Sequence, residues 1–227
     1  MLVAGIEVRI DRKQIKNLHL HVKPPNGTVA VSAPMNMSDD TIERYVKKEI
    51  SWIKAKKAKF TALLRQPKRQ YISGEMLSLW GKQYFLQVGH GGRNTLELSG
   101  NTALLTARRE STVKQRDNFI REWYRQQLKD EVSRLLPKWE KITGLKSDSW
   151  QIKYMKSKWG TCNVTKRKIW LSLQLAKKPI ECLEYVILHE LIHLRVKNHG
   201  VDFKTAINNY MPFWKEVKKK LNDQILD

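Results

Sequence analysis

Three histidines and one glutamate within eleven residues are the side chains of this sequence with the clearest chemistry. His189, Glu190 and His193 form an H-E-x-x-H string, and His199 follows six residues after the string ends. On a helix, residues four apart leave the same face one turn apart, so both imidazoles of the string can bind one metal ion. Glu190 is then placed to take a proton from a water molecule at that ion. The pattern predicts a metal centre that activates water for hydrolysis.

The third histidine can join the other two only if the chain turns. In a continuous helix, His199 would lie about 9 Å further along the axis than His193 and about 240° around it. Ligands of one zinc ion instead all lie within about 2.1 Å of it. Asn198 tolerates a left-handed conformation and Gly200 is permissive, so the helix is expected to stop here. The histidine spacing equals that of the metzincin motif, but Val196 stands where metzincins have glycine, so a different turn is expected. The alternative is a helix-terminal His199 favoured by the helix dipole.

Three imidazoles with an open fourth position are typical of a catalytic zinc site. We therefore expect zinc at His189, His193 and His199, although manganese, cobalt or nickel would also fit. The helix around the string is largely apolar, and buried polar side chains without partners are costly there, a cost that metal binding relieves. Cys182, seven residues before His189, is interpreted as a buried structural cysteine.

The sequence is strongly basic. Its 227 residues include 43 Lys and Arg against 22 Asp and Glu, a net charge of +21. Such a surface attracts polyanions, including nucleic acid, anionic membranes and phosphorylated substrates. The alternative is a solvated lysine surface that keeps the protein soluble. The length suits one domain or two small ones, and 41% hydrophobic with 29% charged content excludes a disordered chain.

Cysteine usage and hydropathy indicate the compartment. Cys162 and Cys182 are too few for a disulfide framework, which favours a reducing environment. At the amino terminus, Glu7, Arg9 and Asp11 interrupt any apolar core of signal length. No run approaches the roughly 18 apolar residues of a membrane span. We therefore expect a cytoplasmic protein with no membrane partner.

Strands and one helix are predicted for the first hundred residues. Ser38-Asp39-Asp40 caps a helix that begins near Thr41, and its apolar spacing continues to Ile53. Pro24-Pro25-Asn26-Gly27 predicts a turn. Alternating apolar residues predict short strands. These strands are expected at 6–10, 18–22, 29–31, 96–98 and 103–106, together with a hairpin over 71–88 that turns at Gly81-Lys82.

Helices dominate the predicted second half. A long helix is expected from Thr112 to about Ile142, interrupted or bent near Pro137. Two strands, 150–154 and 169–173, flank a loop at 157–163. The H-E-x-x-H helix follows with Pro179 in its first turn, and a last helix runs from about residue 201. A composition shift near residue 111 divides a β-rich region, 1–110, from a second region, 111–227, unless the two form one continuous domain.

Several motifs together resemble the YgjP-like metallopeptidase family, which belongs with the SprT-like and Wss1-like zinc proteases. The motifs are Ser157-Lys158-Trp159-Gly160-Thr161-Cys162, His189-Glu190-Leu191-Ile192-His193-Leu194, Asn198-His199, Phe203 and Met211-Pro212-Phe213-Trp214. The resemblance covers most of the chain. It implies His189, His193 and His199 as metal ligands, Glu190 as the catalytic base, and a loop at 159–162 beside the metal helix. Lys158, Thr161 and Gly200 replace the family's common Arg, Ser and Ser, and none of these departures affects a ligand.

The expected fold is α+β. It has a small amino-terminal β-sheet region with a helix, followed by a zincin-like helical core with a short β-hairpin or sheet beside the H-E-x-x-H helix. The expected function is that of a zinc-dependent hydrolase, above all a metallopeptidase that acts on polypeptides, and the basic surface suggests that it works near nucleic acid. Tyr210, Arg195 and Asn163 are candidate oxyanion donors, on the ground of proximity in the sequence alone.

Two other functions fit the same residues. The first is metal-dependent hydrolysis of a phosphoanhydride such as a nucleoside triphosphate, whose phosphates Lys, Arg and the metal would hold because the sequence has no P-loop. The second is a non-catalytic nucleic-acid-binding module with a structural metal.

Overall fold

The computed structural model describes residues 1–23, 26–65, 69–155 and 157–223. Its fold is α+β, as predicted. The chain divides into two compact units, Met1–Lys68 and Arg69–Leu226. The second unit includes strands at Met76–Ala107 that the composition shift near residue 111 assigned to the amino-terminal region. Within the described ranges, no helix is both long and apolar enough to cross a bilayer.

The first unit contains a four-stranded sheet. Its strands are β1 (Leu2–Val3), β2 (Ile6–Lys13), β3 (His19–Lys23) and β4 (Thr28–Pro34). They lie in the order β1-β2-β4-β3, with β2 parallel to β4 and the other neighbours antiparallel. Pro24 and Pro25 of the predicted turn lie outside the described residues, while Gly27 adopts a left-handed conformation at φ 68°.

The single helix predicted over Thr41–Ile53 is two helices, α1 (Asp39–Lys48) and α2 (Ile50–Arg65). Ser38 caps α1, as predicted, by accepting a hydrogen bond from the backbone of Thr41. Glu49 ends α1 with φ −94° and ψ 8°. The apolar spacing runs through both helices because Ile42, Val46 and Ile53 pack into the same core.

The second unit begins with another four-stranded sheet. Its strands are β5 (Met76–Leu79), β6 (Lys82–His90), β7 (Thr95–Ser99) and β8 (Thr102–Ala107). The predicted hairpin at Gly81 forms, with φ 80°, and a Cβ on Gly81 would lie 2.8 Å from Pro179 Cγ. The order β5-β6-β8-β7 and its strand directions equal those of the first sheet. The fold therefore contains a structural repeat that the sequence does not display.

A long helix, a three-stranded sheet, a 3-10 helix and three further α-helices follow in the described part of the second unit. They are α3 (Val113–Thr143), β9 (Ser149–Lys153), β10 (Gly160–Asn163), β11 (Lys168–Ser172), a 3-10 helix (Leu173–Lys177), α4 (Ile180–His193), α5 (Val201–Tyr210) and α6 (Trp214–Asp223). The sheet order is β10-β11-β9, with β11 parallel to β9 and antiparallel to β10. Part of the loop predicted at 157–163 is therefore an edge strand, β10.

Proline positions account for two corrections to the predicted helices. Of the interruption or bend predicted near Pro137, the interruption is absent: α3 continues through Pro137 because Leu135, Leu136 and Trp139 around it are buried in the core. The helix predicted from residue 201 is instead broken between α5 and α6. Pro212 cannot continue α5, and the adjacent Phe213 is 57% exposed.

α4 is the central helix of the second unit. It packs against α3, α5, α6, β10, β11 and the 3-10 helix. Nine of its residues are buried, among them Leu183, Ile187 and Leu191. Burial on nearly all sides holds this helix rigidly, so the histidines at its carboxyl end start from a fixed backbone.

Candidate metal centre

The side chains of His189, His193 and His199 converge. Their Nε2 atoms are separated by 3.2 Å between His189 and His193, 3.1 Å between His193 and His199, and 2.9 Å between His199 and His189. Nitrogens bound tetrahedrally at about 2.0–2.1 Å from one zinc ion lie about 3.3 Å apart. The three nitrogens therefore stand at nearly the separation that a shared ion requires.

A turn between α4 and α5 returns His199 to the other two histidines. α4 ends at His193, and Gly200 is the residue that precedes α5. The N–H of Val196 donates to Ile192 O at 2.8 Å and closes the turn. Gly200 has φ −71°, and Asn198 is not among the residues with positive φ. The turn thus forms without the left-handed residue that Asn198 and Gly200 suggested.

Hydrogen bonding and burial leave these imidazoles able to bind a cation. His193 Nδ1 lies 3.0 Å from Val196 O, and since a carbonyl only accepts, Nδ1 carries the proton and Nε2 presents its lone pair. Burial lowers the pKa of His189 to about 3, and the charges of His193 and His199 act in the same direction. Burial and the charge of His193 also lower the pKa of His199. Neutral imidazoles are the form that binds metals.

Phe203 packs against all three imidazole rings. Its ring centroid lies 4.8 Å from that of His189, 4.9 Å from that of His193 and 4.7 Å from that of His199. The side chain is 3% exposed and comes from the first turn of α5. The helix that follows the turn therefore supplies an apolar surface against the three imidazoles.

Glu190 is a buried carboxyl group beside the histidines, 4% exposed. Burial raises its pKa to about 8, while the charge of Lys158 acts in the opposite direction. β10 comes very close to it, since a Cβ on Gly160 would lie 2.6 Å from Glu190 Oε1 and 2.8 Å from Val186 Cγ1. Sequence reasoning included Gly160 in the loop motif but gave it no role. A glycine within a strand is a signal of such close approach.

The histidines and Glu190 open into a cleft of about 320 Å³. Its other lining residues are Lys158, Gly160, Thr161, Cys162, Val164 and Lys197. Among the described residues, the candidate oxyanion donors Tyr210, Arg195 and Asn163 do not line this cleft. The cleft wall opposite the metal helix is thus the edge strand β10.

The hydrogen-bond pattern of β10 leaves peptide groups directed at the free edge of the sheet. Ser172 N donates to Trp159 O at 2.8 Å. Bonded and non-bonded pairs alternate in an antiparallel ladder, so in this register Thr161 bonds to β11. The N–H and C=O groups of Gly160 and Cys162 point instead to the unpaired edge.

Two cysteines and one tryptophan of the sequence analysis lie in or near this part of the structure. Cys182 is fully buried, and its thiol lies 3.9 Å from Val217 O. Trp159 packs against the core while its Nε1 donates to Asn222 Oδ1 at 3.2 Å. Cys162 lines the cleft, and burial, aided by the charge of Glu190, raises its pKa to about 11. Without a bound metal ion, a thiol with that pKa is protonated at neutral pH.

Comparison with known proteins gives short local matches and one long one. An uncharacterized protein of Methanocaldococcus jannaschii is 53% identical over 32 residues, which are 13% of this chain and span only 29% of that protein's length. The crystal structure of the metallopeptidase zymogen jannalysin from Methanocaldococcus jannaschii is similar over 40% of this chain and 94% of its own, with a TM-score of 0.37 and 26% identity. That of the metallopeptidase zymogen abylysin from Pyrococcus abyssi is similar over 40% and 90%, with a TM-score of 0.37 and 22% identity.

The long match is to a family. The sequence profile of the YgjP-like metallopeptidase domain matches residues 16–224, and thus nearly the whole sequence. The matched range includes every residue of the histidine cluster and Glu190. This chain therefore belongs to the YgjP-like metallopeptidase family.

Proposed function

We propose that this protein is a zinc-dependent peptidase in which His189, His193 and His199 bind the ion and Glu190 is the general base. The observation that carries the proposal is the convergence of three imidazole nitrogens beside a buried carboxyl group, in a chain of a metallopeptidase family. A neutral, all-nitrogen set of three ligands favours zinc over the harder divalent cations.

The roles of the side chains follow from their surroundings. When bound, the ion would polarise both a water molecule and the scissile carbonyl group. Glu190 takes a proton from the attacking water and delivers it to the leaving amine. Burial raises the pKa of the Glu190 carboxyl group, and the charge of a bound ion would favour the ionised form that accepts the proton. The hydrogen bond from His193 Nδ1 to Val196 O fixes the orientation of the His193 imidazole.

The edge of β10 suggests how a polypeptide would bind. The peptide groups of Gly160 and Cys162 point to the free edge, and both residues line the cleft with Glu190. An extended substrate that adds to this edge as a further strand would gain main-chain hydrogen bonds whatever its side chains. We therefore expect cleavage of unfolded chains rather than of compact domains.

The test combines metal analysis with cleavage of an unfolded protein. In Glu190→Gln, we expect zinc occupancy to be kept and the cleavage rate to fall by about 10² to 10⁴, since the variant cannot accept the proton. In His199→Ala, zinc affinity should fall, whereas in His90→Ala, a control at an exposed histidine of β6, both readouts should be unchanged. Full zinc affinity in His199→Ala would refute the three-histidine site.

Two lysines in the cleft favour phosphoanhydride hydrolysis as the second candidate function, beside peptide hydrolysis. Lys158 and Lys197 line the cleft and could contact phosphates. Phosphate release from nucleoside triphosphates that is lost in Glu190→Gln, without cleavage of any protein, would replace the peptidase proposal. A binding module with a structural metal predicts instead salt-sensitive nucleic-acid binding that survives Glu190→Gln, and unfolding on metal removal.

A further inference from the structure

One face of the three-stranded sheet combines lysines with an aromatic ring and has no acidic residue. We call it the basic sheet face, and it is formed by Gln151, Lys153, Thr161, Lys168 and Trp170. Thr161, Trp170 and Gln151 are aligned across the three strands in register. Because side chains alternate along a strand, the opposite face holds Ile169 and Leu171, which are buried in the core.

Trp170 is the centre of the basic sheet face. Its ring is half-buried, and its Nε1 donates to Gln151 Oε1 at 3.3 Å, which sets the direction of the indole. Lys153 Nζ lies 4.7 Å and Lys168 Nζ 5.5 Å from the ring centroid. Two ammonium groups therefore lie over an oriented aromatic ring.

The positive charge of this face is not neutralised within the described part of the chain. β9, β10 and β11 contain no Asp or Glu. Asp148, just before β9, forms an ion pair with Arg167 at 3.5 Å. Among the described residues, Lys153 and Lys168 have no carboxylate partner, so both can pair with an external anion.

We propose that the basic sheet face binds single-stranded nucleic acid. A base stacks on Trp170 in place of the two ammonium groups, and Lys153 and Lys168 pair instead with the phosphates on either side of that base. Acidic protein segments would use the charges but not the ring, and a duplex would keep its bases inside. Gly160, the neighbour of Thr161 in β10, faces Glu190 on the opposite side of the sheet, so a bound strand would lie across the sheet from the metal helix. The proposal does not depend on which bond the metal centre hydrolyses.

Fluorescence polarisation with a labelled single-stranded oligonucleotide of about 20 nucleotides tests this on the full-length, zinc-loaded protein. Lys153→Glu with Lys168→Glu should weaken binding at least tenfold. The number of phosphate contacts derived from the salt dependence of the affinity should fall by about two. Trp170→Leu should weaken it between about fivefold and a hundredfold, whereas Trp170→Phe should keep most of the affinity. The matched control is Lys114→Glu with Lys219→Glu, an equal charge change at exposed residues of α3 and α6.

Three outcomes would overturn the proposal. If the control pair weakens binding as much as the pair on the sheet face, net charge alone attracts the oligonucleotide. If Trp170→Leu stays within twofold of the parent, no base stacks on the ring. If polyglutamate displaces the oligonucleotide as well as an unlabelled copy does, the face is a general anion surface. If Trp170→Leu binds more weakly but keeps the melting temperature and the protein cleavage rate of the parent, the weaker binding does not come from a loss of folding.

Discussion

At the scale of single residues, Gly160 sets how closely β10 approaches the proposed base. Gly160→Ala places a methyl group 2.6 Å from Glu190 Oε1 and 2.8 Å from Val186 Cγ1, so the carboxyl group must move. We expect kcat/KM for protein cleavage to fall roughly a hundredfold, the effect of displacing a reacting group by about 1 Å. Zinc occupancy should be unchanged because no ligand is touched.

The matched control for that substitution is Gly92→Ala. A Cβ on Gly92 meets nothing within 4 Å, and its φ is not positive, so this variant should match the parent in activity and melting. An active Gly160→Ala protein would show that Glu190 can move without cost, which contradicts a fixed position for the base.

Phe203 is expected to hold the ligand rings in place. Phe203→Ala opens a cavity beneath three imidazoles, so unfolding free energy should fall by about 3–5 kcal/mol. Zinc affinity, measured by competition with a chromophoric chelator, should fall about 10–100-fold, as for lost groups that orient ligands. Phe203→Tyr should restore much of the affinity.

The control for Phe203 is Phe119→Ala on α3, which is partly buried against the same core. It should lower stability without lowering zinc affinity in the folded protein. Equal losses of zinc affinity in both variants would mean that Phe203 contributes only to general stability.

The sequence predicts the polar residues of the candidate site better than the residues that position them. H-E-x-x-H and His199 are local patterns whose helix geometry can be worked out from spacing alone, and the structure brings those four side chains together. Gly160 and Phe203 act through contacts between elements distant in sequence. A glycine and a phenylalanine are each compatible with many environments, so no local rule assigns them these roles.

At the scale of elements, the free edge of β10 should bind the substrate. Cys162→Pro removes an N–H directed at this edge, a position where a strand tolerates proline. Because one main-chain hydrogen bond contributes about 0.5–1.5 kcal/mol, we expect KM for an unfolded protein to rise up to about tenfold. Zinc occupancy and melting temperature should change little.

Two variants isolate the lost N–H. Cys162→Ala removes the thiol but keeps the N–H, so its KM should equal that of the parent. Thr161→Pro removes an N–H that bonds to β11 and should instead lower the melting temperature. A normal KM in Cys162→Pro would argue against strand addition at β10.

Element boundaries differ from the sequence prediction where packing overrides local preference. α3 passes through Pro137 because its neighbours are buried on both sides, while α5 stops before Pro212, which lies next to an exposed residue. β10 looked like a loop because four residues of mixed character carry no periodic signal. The repeated four-stranded sheets share strand order rather than side chains, so the sequence does not reveal them.

At the scale of the whole molecule, composition and contacts divide the chain differently. The composition shift near residue 111 marks where helix-forming residues begin. The boundary between the compact units falls after Lys68 in the sequence because β5–β8 belong with α3 and α4 in one core. Such long-range packing cannot be read from a running composition.

A buried cysteine thiol and buried tyrosine hydroxyl groups should make the folded protein less stable at alkaline pH. Burial raises the pKa of Cys182 to about 11 and that of Tyr185 to about 12, and it also raises the pKa of Tyr71. The folded state therefore keeps protons that the unfolded state releases, so unfolding free energy falls as pH rises from the unfolded pKa through the folded one. For Cys182, which is fully buried, the ordinary pKa of 9.0 and the raised value of about 11 correspond to roughly 3 kcal/mol.

Denaturant unfolding measured from about pH 8 to about pH 11 tests this pH dependence. The parent should lose stability steadily over that range, and Cys182→Ala should lose up to roughly 3 kcal/mol less, although it begins less stable because of its cavity. Cys162→Ala should flatten the curve less, since Cys162 is only half-buried and solvent screens its charge. Parallel curves for the parent and Cys182→Ala would mean that the thiol at 182 ionises as readily in the folded state as in the unfolded one, and that the core around α4 admits water.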